Sequence, residues 1–221
     1  MKPVAEPLNT TSHLLRPAVF LDRDGTINEQ MGYINHISRF QLLPGVASAI
    51  RQLNERNIPV VVVTNQSGLA RGYFPPELLL AVHEKMTTLL VEQGAHVDGI
   101  YVCPHHPEAK KEEYRLNCEC RKPKPGLLLQ AAREMGLDLA GSFVVGDRWS
   151  DLKTAAACGA VPLLVLTGYG RGDAQYIGPT QVVQPVYVGD DLTAVVQWIL
   201  ERIHTRTDKK MNTTGKRRGV K

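Results

Sequence analysis

Ala18-Val19-Phe20-Leu21-Asp22-Arg23-Asp24-Gly25-Thr26 joins a continuous apolar run to two carboxylates spaced i and i+2. A run without polar alternation is the pattern of a strand buried on both faces. Four more runs share that character, at Val60–Thr64, Gly99–Val102, Ser142–Val145 and Pro162–Leu166. Between them, apolar residues recur at helical spacing: Val46, Ala49, Ile50 and Leu53, then Leu128, Ala131, Ala132 and Met135. A last stripe, Leu192, Val195, Val196, Ile199, Leu200 and Ile203, is opened by Asp190 or Asp191 as N-cap. The sequence therefore predicts an α/β chain with a doubly wound, Rossmann-like parallel sheet. In such folds the chemistry lies just beyond the carboxyl ends of the strands.

The chain has 221 residues, 43% of them hydrophobic and 22% charged, which suits one core and one domain. No aliphatic run approaches the roughly 20 residues that span a bilayer. Residues 1–17 carry Lys2, Glu6 and Arg16 but no apolar signal-peptide region. A cytoplasmic protein without membrane attachment is expected. The net charge of +4 is unevenly placed: residues 202–221 hold eight Lys and Arg against Asp208, a tail of +7 on a body of −3. A body of that sign shows no basic nucleic-acid footprint, and no nucleic-acid partner is expected. Residues 1–16 read as a flexible extension, 17–205 as the domain and 206–221 as a basic flexible tail. No stretch between strands is long enough for a cap domain.

Chemistry-bearing residues follow the strands in order. Asp22 and Asp24 place two like charges past a buried strand, a costly choice that a divalent cation with oxygen ligands resolves. Thr64-Asn65-Gln66-Ser67-Gly68 offers a hydroxyl and amides that donate to a phosphate without adding charge. Cys103-Pro104-His105-His106 and Cys118-Glu119-Cys120 assemble a Cys₃His set, the chemistry of structural zinc, with His106 as a rival ligand to His105. Such a site would staple the 103–120 loop. Arg121-Lys122-Pro123-Lys124-Pro125-Gly126 brings cations suited to phosphate. Gly146-Asp147-Arg148 puts another carboxylate at a strand end, where a metal shared with Asp22 would need it.

In this order the motifs resemble the haloacid dehalogenase superfamily of phosphohydrolases, over roughly residues 18–168. Within it, Gln30-Met31-Gly32-Tyr33-Ile34, residues 64–72, 103–107 and 118–126 are similar to the heptose 1,7-bisphosphate 7-phosphatase family. The resemblance implies an Mg²⁺-dependent phosphatase that removes the 7-phosphate of D-glycero-D-manno-heptose 1,7-bisphosphate, in the making of ADP- or GDP-heptose precursors. Asp22 would be the nucleophile and Asp24 the general acid and base. Asp22, the Asp24 main-chain carbonyl and Asp147 would hold Mg²⁺. Thr64 and Lys122 would bind the transferring phosphoryl group, Lys122 being preferred to Lys124 as the catalytic lysine. Gln30, Met31, Gly32, Tyr33, Asn65, Gln66, Ser67, Arg121 and Arg148 would hold the sugar and its distal phosphate. Cys103, His105, Cys118 and Cys120 would bind structural zinc, and the working unit is expected to be a monomer.

Two phosphatase alternatives remain: a histidinol-phosphate phosphatase, whose relatives tend to carry Asp at Ser67 and lack Leu69-Ala70-Arg71-Gly72, and other small phosphomonoesterases, including polynucleotide 3′-phosphatases. A non-catalytic zinc module binding nucleic acid through the basic tail would leave Asp22, Asp24, Lys122 and Asp147 unexplained.

Overall fold

The computed structural model describes residues 15–215, with side chains to residue 203. Its centre is a six-stranded parallel sheet: β1 (Val19–Leu21), β2 (Val60–Asn65), β3 (Gly99–Cys103), β4 (Phe143–Gly146), β5 (Val161–Val165) and β6 (Tyr187–Gly189). The strand order is β3-β2-β1-β4-β5-β6. The five apolar runs form the first five strands. The sixth was not visible in the sequence, because three residues pairing only with β5 leave no apolar run to read.

Successive side chains of a strand point to opposite faces, and the core divides accordingly. Val19, Leu21, Val60, Val62, Phe143 and Val145 pack with α1 (Val46–Asn54), α3 (Pro76–Val91) and α7 (Leu192–Gly215). Ala18, Phe20, Val61, Val63 and Val144 pack on the other face, against α4 (Gly126–Met135) and Ala155 of α5 (Trp149–Ala157). All three predicted helical stripes form helices, and Asp191 supplies the cap of α7, its Oδ1 accepting from Ala194 N at 2.9 Å. The stretch around residues 169–188, silent in sequence, forms short turns: α6 (Gly170–Gly172), a wide turn (Asp173–Ile177) and a tight one (Gly178–Thr180).

Strand order reverses between β1 and β4, and this reversal opens a crevice at their carboxyl ends. Leu21 sits beside Val145, and Asp22 N donates to Val145 O at 2.9 Å, so the chain leaves both strands at one level. Among the described residues no inserted domain covers that crevice; the loop after β1 and the short α2 (Gly68–Arg71) flank it.

Of the expected N-terminal extension, residues 1–14 lie outside the described residues. Arg16 is tied down: its carbonyl accepts from Asp138 N at 2.8 Å. The basic tail overlaps the end of α7, and its side chains lie outside the described residues. Ile50 of α1 is fully buried in the larger core. Ile50→Ala should lower stability by about 2–5 kcal/mol, seen as a lower urea midpoint at unchanged slope. A loss under about 1 kcal/mol would contradict this packing.

Candidate active site

Four loops at the strand ends converge on Lys122, whose side chain is 2% exposed. Its Nζ lies 2.8 Å from Asp22 Oδ1 and 2.6 Å from Asp151 Oδ1, and donates to Val63 O at 2.9 Å. Burial by itself would lower this ammonium, but Asp151 and Asp22 outweigh it and push it up, so Lys122 stays charged. The second candidate, Lys124, is at the surface, paired with Glu119 at 2.9 Å.

Asp22, Asp147 and Asp151 each place a carboxylate oxygen within 4.8 Å of the others. Burial, ahead of repulsion from Asp151 and Asp24, raises Asp22 to about 6 against the pull of Lys122. Burial, then repulsion from Asp22 and Asp151, raises Asp147 to about 8. Asp147 Oδ2 accepts from Tyr169 N at 2.8 Å, whereas its Oδ1 is buried without a hydrogen-bond partner. Both oxygens of Asp151 are engaged, one by Lys122 and the other by Arg148 N at 3.1 Å. Gly25, at φ 83°, and Gly168 press against Asp147 so closely that a Cβ on either would collide with its carboxylate. Three converging carboxylates, one with an orphaned oxygen, are a donor set suited to a hard divalent cation such as Mg²⁺.

Asp24 is placed differently. Arg23 Nη2 donates to both its oxygens, at 3.0 and 2.9 Å; Asn28 Nδ2 adds a bond to Oδ1 at 2.9 Å and Gln66 Nε2 one to Oδ2 at 2.8 Å. Burial would raise this carboxyl, but Arg23 and the amide donors outweigh it and hold it below the usual range.

The loop after β2 acts largely through its neighbours. Thr64 Oγ1 accepts from Gln66 Nε2 at 2.9 Å. The Asn65 amide clasps the Lys122 peptide, accepting from its N–H at 3.1 Å and donating to its carbonyl at 3.2 Å. Asn65 thus positions the lysine, a contact its sequence neighbours do not announce. A cavity of about 400 Å³ opens above these groups. Asp22, Asp24, Gln30, Gly32, Tyr33, Thr64, Asn65, Gln66, Ser67, Arg121, Lys122 and Arg148 line it. Met31 is absent from that lining; it faces a neighbouring open groove and packs on the core. Ile34, Ser150 and Tyr169 also line the cavity, unassigned by sequence. Arg148 stacks over Tyr169 at 4.5 Å and lies 3.4 Å from Asp173, while Arg121 donates to His105 O at 3.2 Å.

Sequence reasoning also gave no role to Asp151, although it follows Asp147 by four residues in the first turn of α5. That spacing was its available signal. Arg23 and His83 carry no signal, because their contact joins residues 60 positions apart.

The cysteine–histidine set gathers beside the site. Cys103 Sγ is 3.5 Å from Cys118 Sγ, Cys120 Sγ is 3.1 Å from Cys118 Sγ, and His105 Nδ1 is 3.3 Å from Cys120 Sγ. Ligands about 2.3 Å from a tetrahedral zinc stand just under 4 Å apart, so four such atoms fit that metal. His106 is engaged elsewhere, its Nε2 contacting Arg71 at 3.0 Å.

A family model described as polynucleotide kinase 3 phosphatase matches residues 18–156, and a HAD-hydrolase-like model matches residues 119–195. A D-glycero-beta-D-manno-heptose-1,7-bisphosphate 7-phosphatase from Yersinia pestis is 48% identical over 153 residues, 69% of this chain and 81% of that protein. Its namesake from Haemophilus influenzae is 47% identical over 171 residues, 74% of this chain and 91% of that protein. Among solved structures, the D,D-heptose 1,7-bisphosphate phosphatase from B. bronchiseptica, complexed with magnesium and phosphate, superposes with a TM-score of 0.75 at 39% identity. That match covers 84% of this chain and 99% of the other. Sharing nearly half its residues over most of these relatives' length, this chain belongs to the D-glycero-beta-D-manno-heptose-1,7-bisphosphate 7-phosphatase family of haloacid dehalogenase-like hydrolases.

Proposed function

We propose that this chain is a Mg²⁺-dependent phosphatase that removes the 7-phosphate of D-glycero-D-manno-heptose 1,7-bisphosphate through an aspartyl-phosphate at Asp22. It would act as a cytoplasmic monomer, supplying a precursor for ADP- or GDP-heptose. The observation that carries the reading is Asp22 itself, held against Lys122 at the sheet's reversal point and facing a cavity that also carries Arg121 and Arg148. A bisphosphate needs cations both for the group transferred and for the one retained.

Lys122 Nζ and the Thr64 hydroxyl bind the phosphoryl oxygens, and Arg121 and Arg148 hold the distal phosphate. An Asp22 oxygen attacks phosphorus in line; the bond from phosphorus to the sugar oxygen breaks, and Asp24 delivers a proton to that oxygen. Water then attacks the aspartyl-phosphate. Asp24 takes one water proton, the oxygen and other proton leave as hydrogen phosphate, and Asp22 is restored as a carboxylate. Asp22, Asp147 and the Asp24 main-chain carbonyl would hold Mg²⁺, which when bound neutralises charge on the transferring group. Asp151 keeps Lys122 charged and in place. Cys103, His105, Cys118 and Cys120 would bind zinc structurally, fixing the loop that ends in Arg121 and Lys122.

The match to the polynucleotide 3-phosphatase model gives a second substrate class a place in the test. Phosphate release should be compared for both anomers of the heptose 1,7-bisphosphate, fructose 1,6-bisphosphate, histidinol phosphate and a 3′-phosphorylated oligonucleotide. Preference for a heptose anomer supports the proposal, and preference for another substrate replaces it. Asp22→Asn should abolish turnover with fold and zinc content intact; retained turnover would exclude the covalent route. Cys118→Ser should lower zinc content and melting temperature together, and an unchanged melting curve would count against a structural metal.

Magnesium binding should also track pH. Asp147 and Asp22, raised to about 8 and about 6, bind protons more tightly folded than unfolded, so metal-free stability falls as pH rises through that range. Mg²⁺ competes with those protons. The rise in melting temperature at saturating Mg²⁺ should therefore be small near pH 5 and larger near pH 8; an increment that shrinks with pH would contradict the assignment.

A further inference from the structure

Arg23 stands between the two catalytic carboxylates in sequence, yet it does not line the cavity. Its side chain is 2% exposed, and its Nε is buried without a partner. A guanidinium so enclosed is poorly placed to serve the fold, which an apolar side chain would fill without desolvating a charge. Its two other nitrogens are fully committed. Nη2 forks onto both oxygens of Asp24, and Nη1 donates to His83 Nε2 at 3.1 Å, from α3 on the large-core face. Arginine cannot accept, so His83 Nε2 must be unprotonated. Burial and then Arg23 lower His83 to about 4, outweighing the pull of Asp24, in agreement with that geometry.

Four bonds reach the Asp24 carboxylate, and every one comes from a donor: two from Arg23, one from Asn28, one from Gln66. Donors on both oxygens fix the plane and direction of the carboxyl group. Of these donors, Gln66 lines the cavity, whereas Arg23 and Asn28 lie behind. The fixed part of the grip is therefore the part that substrate does not reach.

We propose that Arg23, braced by His83, is a positioning residue that fixes the direction of the Asp24 carboxyl group, so that it meets the water proton when the aspartyl-phosphate is hydrolysed. The inference rests on the phosphatase reading above. With a leaving group that needs no acid, its effect falls on the second half-reaction, in which water's oxygen bonds to phosphorus, the bond from phosphorus to Asp22 breaks and Asp24 keeps the water proton.

The test compares Arg23→Gln and His83→Leu in the full-length, zinc- and Mg²⁺-loaded protein, using p-nitrophenyl phosphate, whose leaving group departs without an acid. For Arg23→Gln, kcat should fall at least tenfold with kcat/KM and the Mg²⁺ requirement within twofold, and more enzyme should be trapped as aspartyl-phosphate on acid quenching. His83→Leu should shift both readouts the same way by a smaller factor. Added to Asp24→Asn, Arg23→Gln should cost less than twofold, because its effect passes through Asp24. An equal loss in both backgrounds, or no rise in trapped phosphoenzyme, overturns the inference while wild-type turnover leaves the phosphatase reading standing. No turnover by wild type removes both. Should Arg23→Gln fail to fold, His83→Leu decides by the same readouts.

Discussion

Asp22, Asp147 and Asp151 bring three carboxylate oxygens within 4.8 Å of one another, with Asp147 and Asp151 buried and Asp22 half-buried. Unit charges about 4 Å apart repel by about 4 kcal/mol even at an effective dielectric near 20. Lys122 relieves part of that repulsion by pairing with Asp22 and Asp151, which leaves Asp147 with an orphaned oxygen and a carboxyl pushed up to about 8. Much of the surrounding architecture maintains this arrangement. The reversal between β1 and β4 sets Asp22 beside the strand that ends at Asp147. Gly25 and Gly168 allow the backbone to close over Asp147, and Asn65 holds the Lys122 peptide from the neighbouring strand end.

The same constraint joins the cysteine–histidine loop to the chemistry. Lys122 follows Cys120 by two residues, so whatever fixes the thiols also fixes the height at which the ammonium enters the site. Arg121, tied to the His105 carbonyl, shares that anchor. With no inserted domain over the crevice among the described residues, loops form the cavity wall: residues 30–34, the end of β2, the cysteine loop and the start of α5.

Much of this was legible in sequence, for physical reasons that vary by element. Strands buried on both faces must be apolar throughout, which made β1 to β5 visible; β6, three residues at the sheet edge, is free of that demand. The carboxylates, lysine and cysteines were visible because charge and thiols at strand ends need a reason. Contacts made across the fold were not. Asn65 reads as a ligand donor but clasps a peptide 57 residues away, Met31 turns to a different groove, and the Arg23–His83 bond has no local signature. Asp151 lay within reach through its four-residue spacing from Asp147, yet its pairing with Lys122 required the folded geometry.

Acid-quenched enzyme taken during turnover of the heptose bisphosphate, digested and read by mass spectrometry, tests the central claim most directly. A phosphate mass on the peptide carrying Asp22, absent in Asp22→Asn, is the predicted result. Phosphate on another residue, or rapid turnover with no trapped phosphopeptide at any quench time, would contradict it.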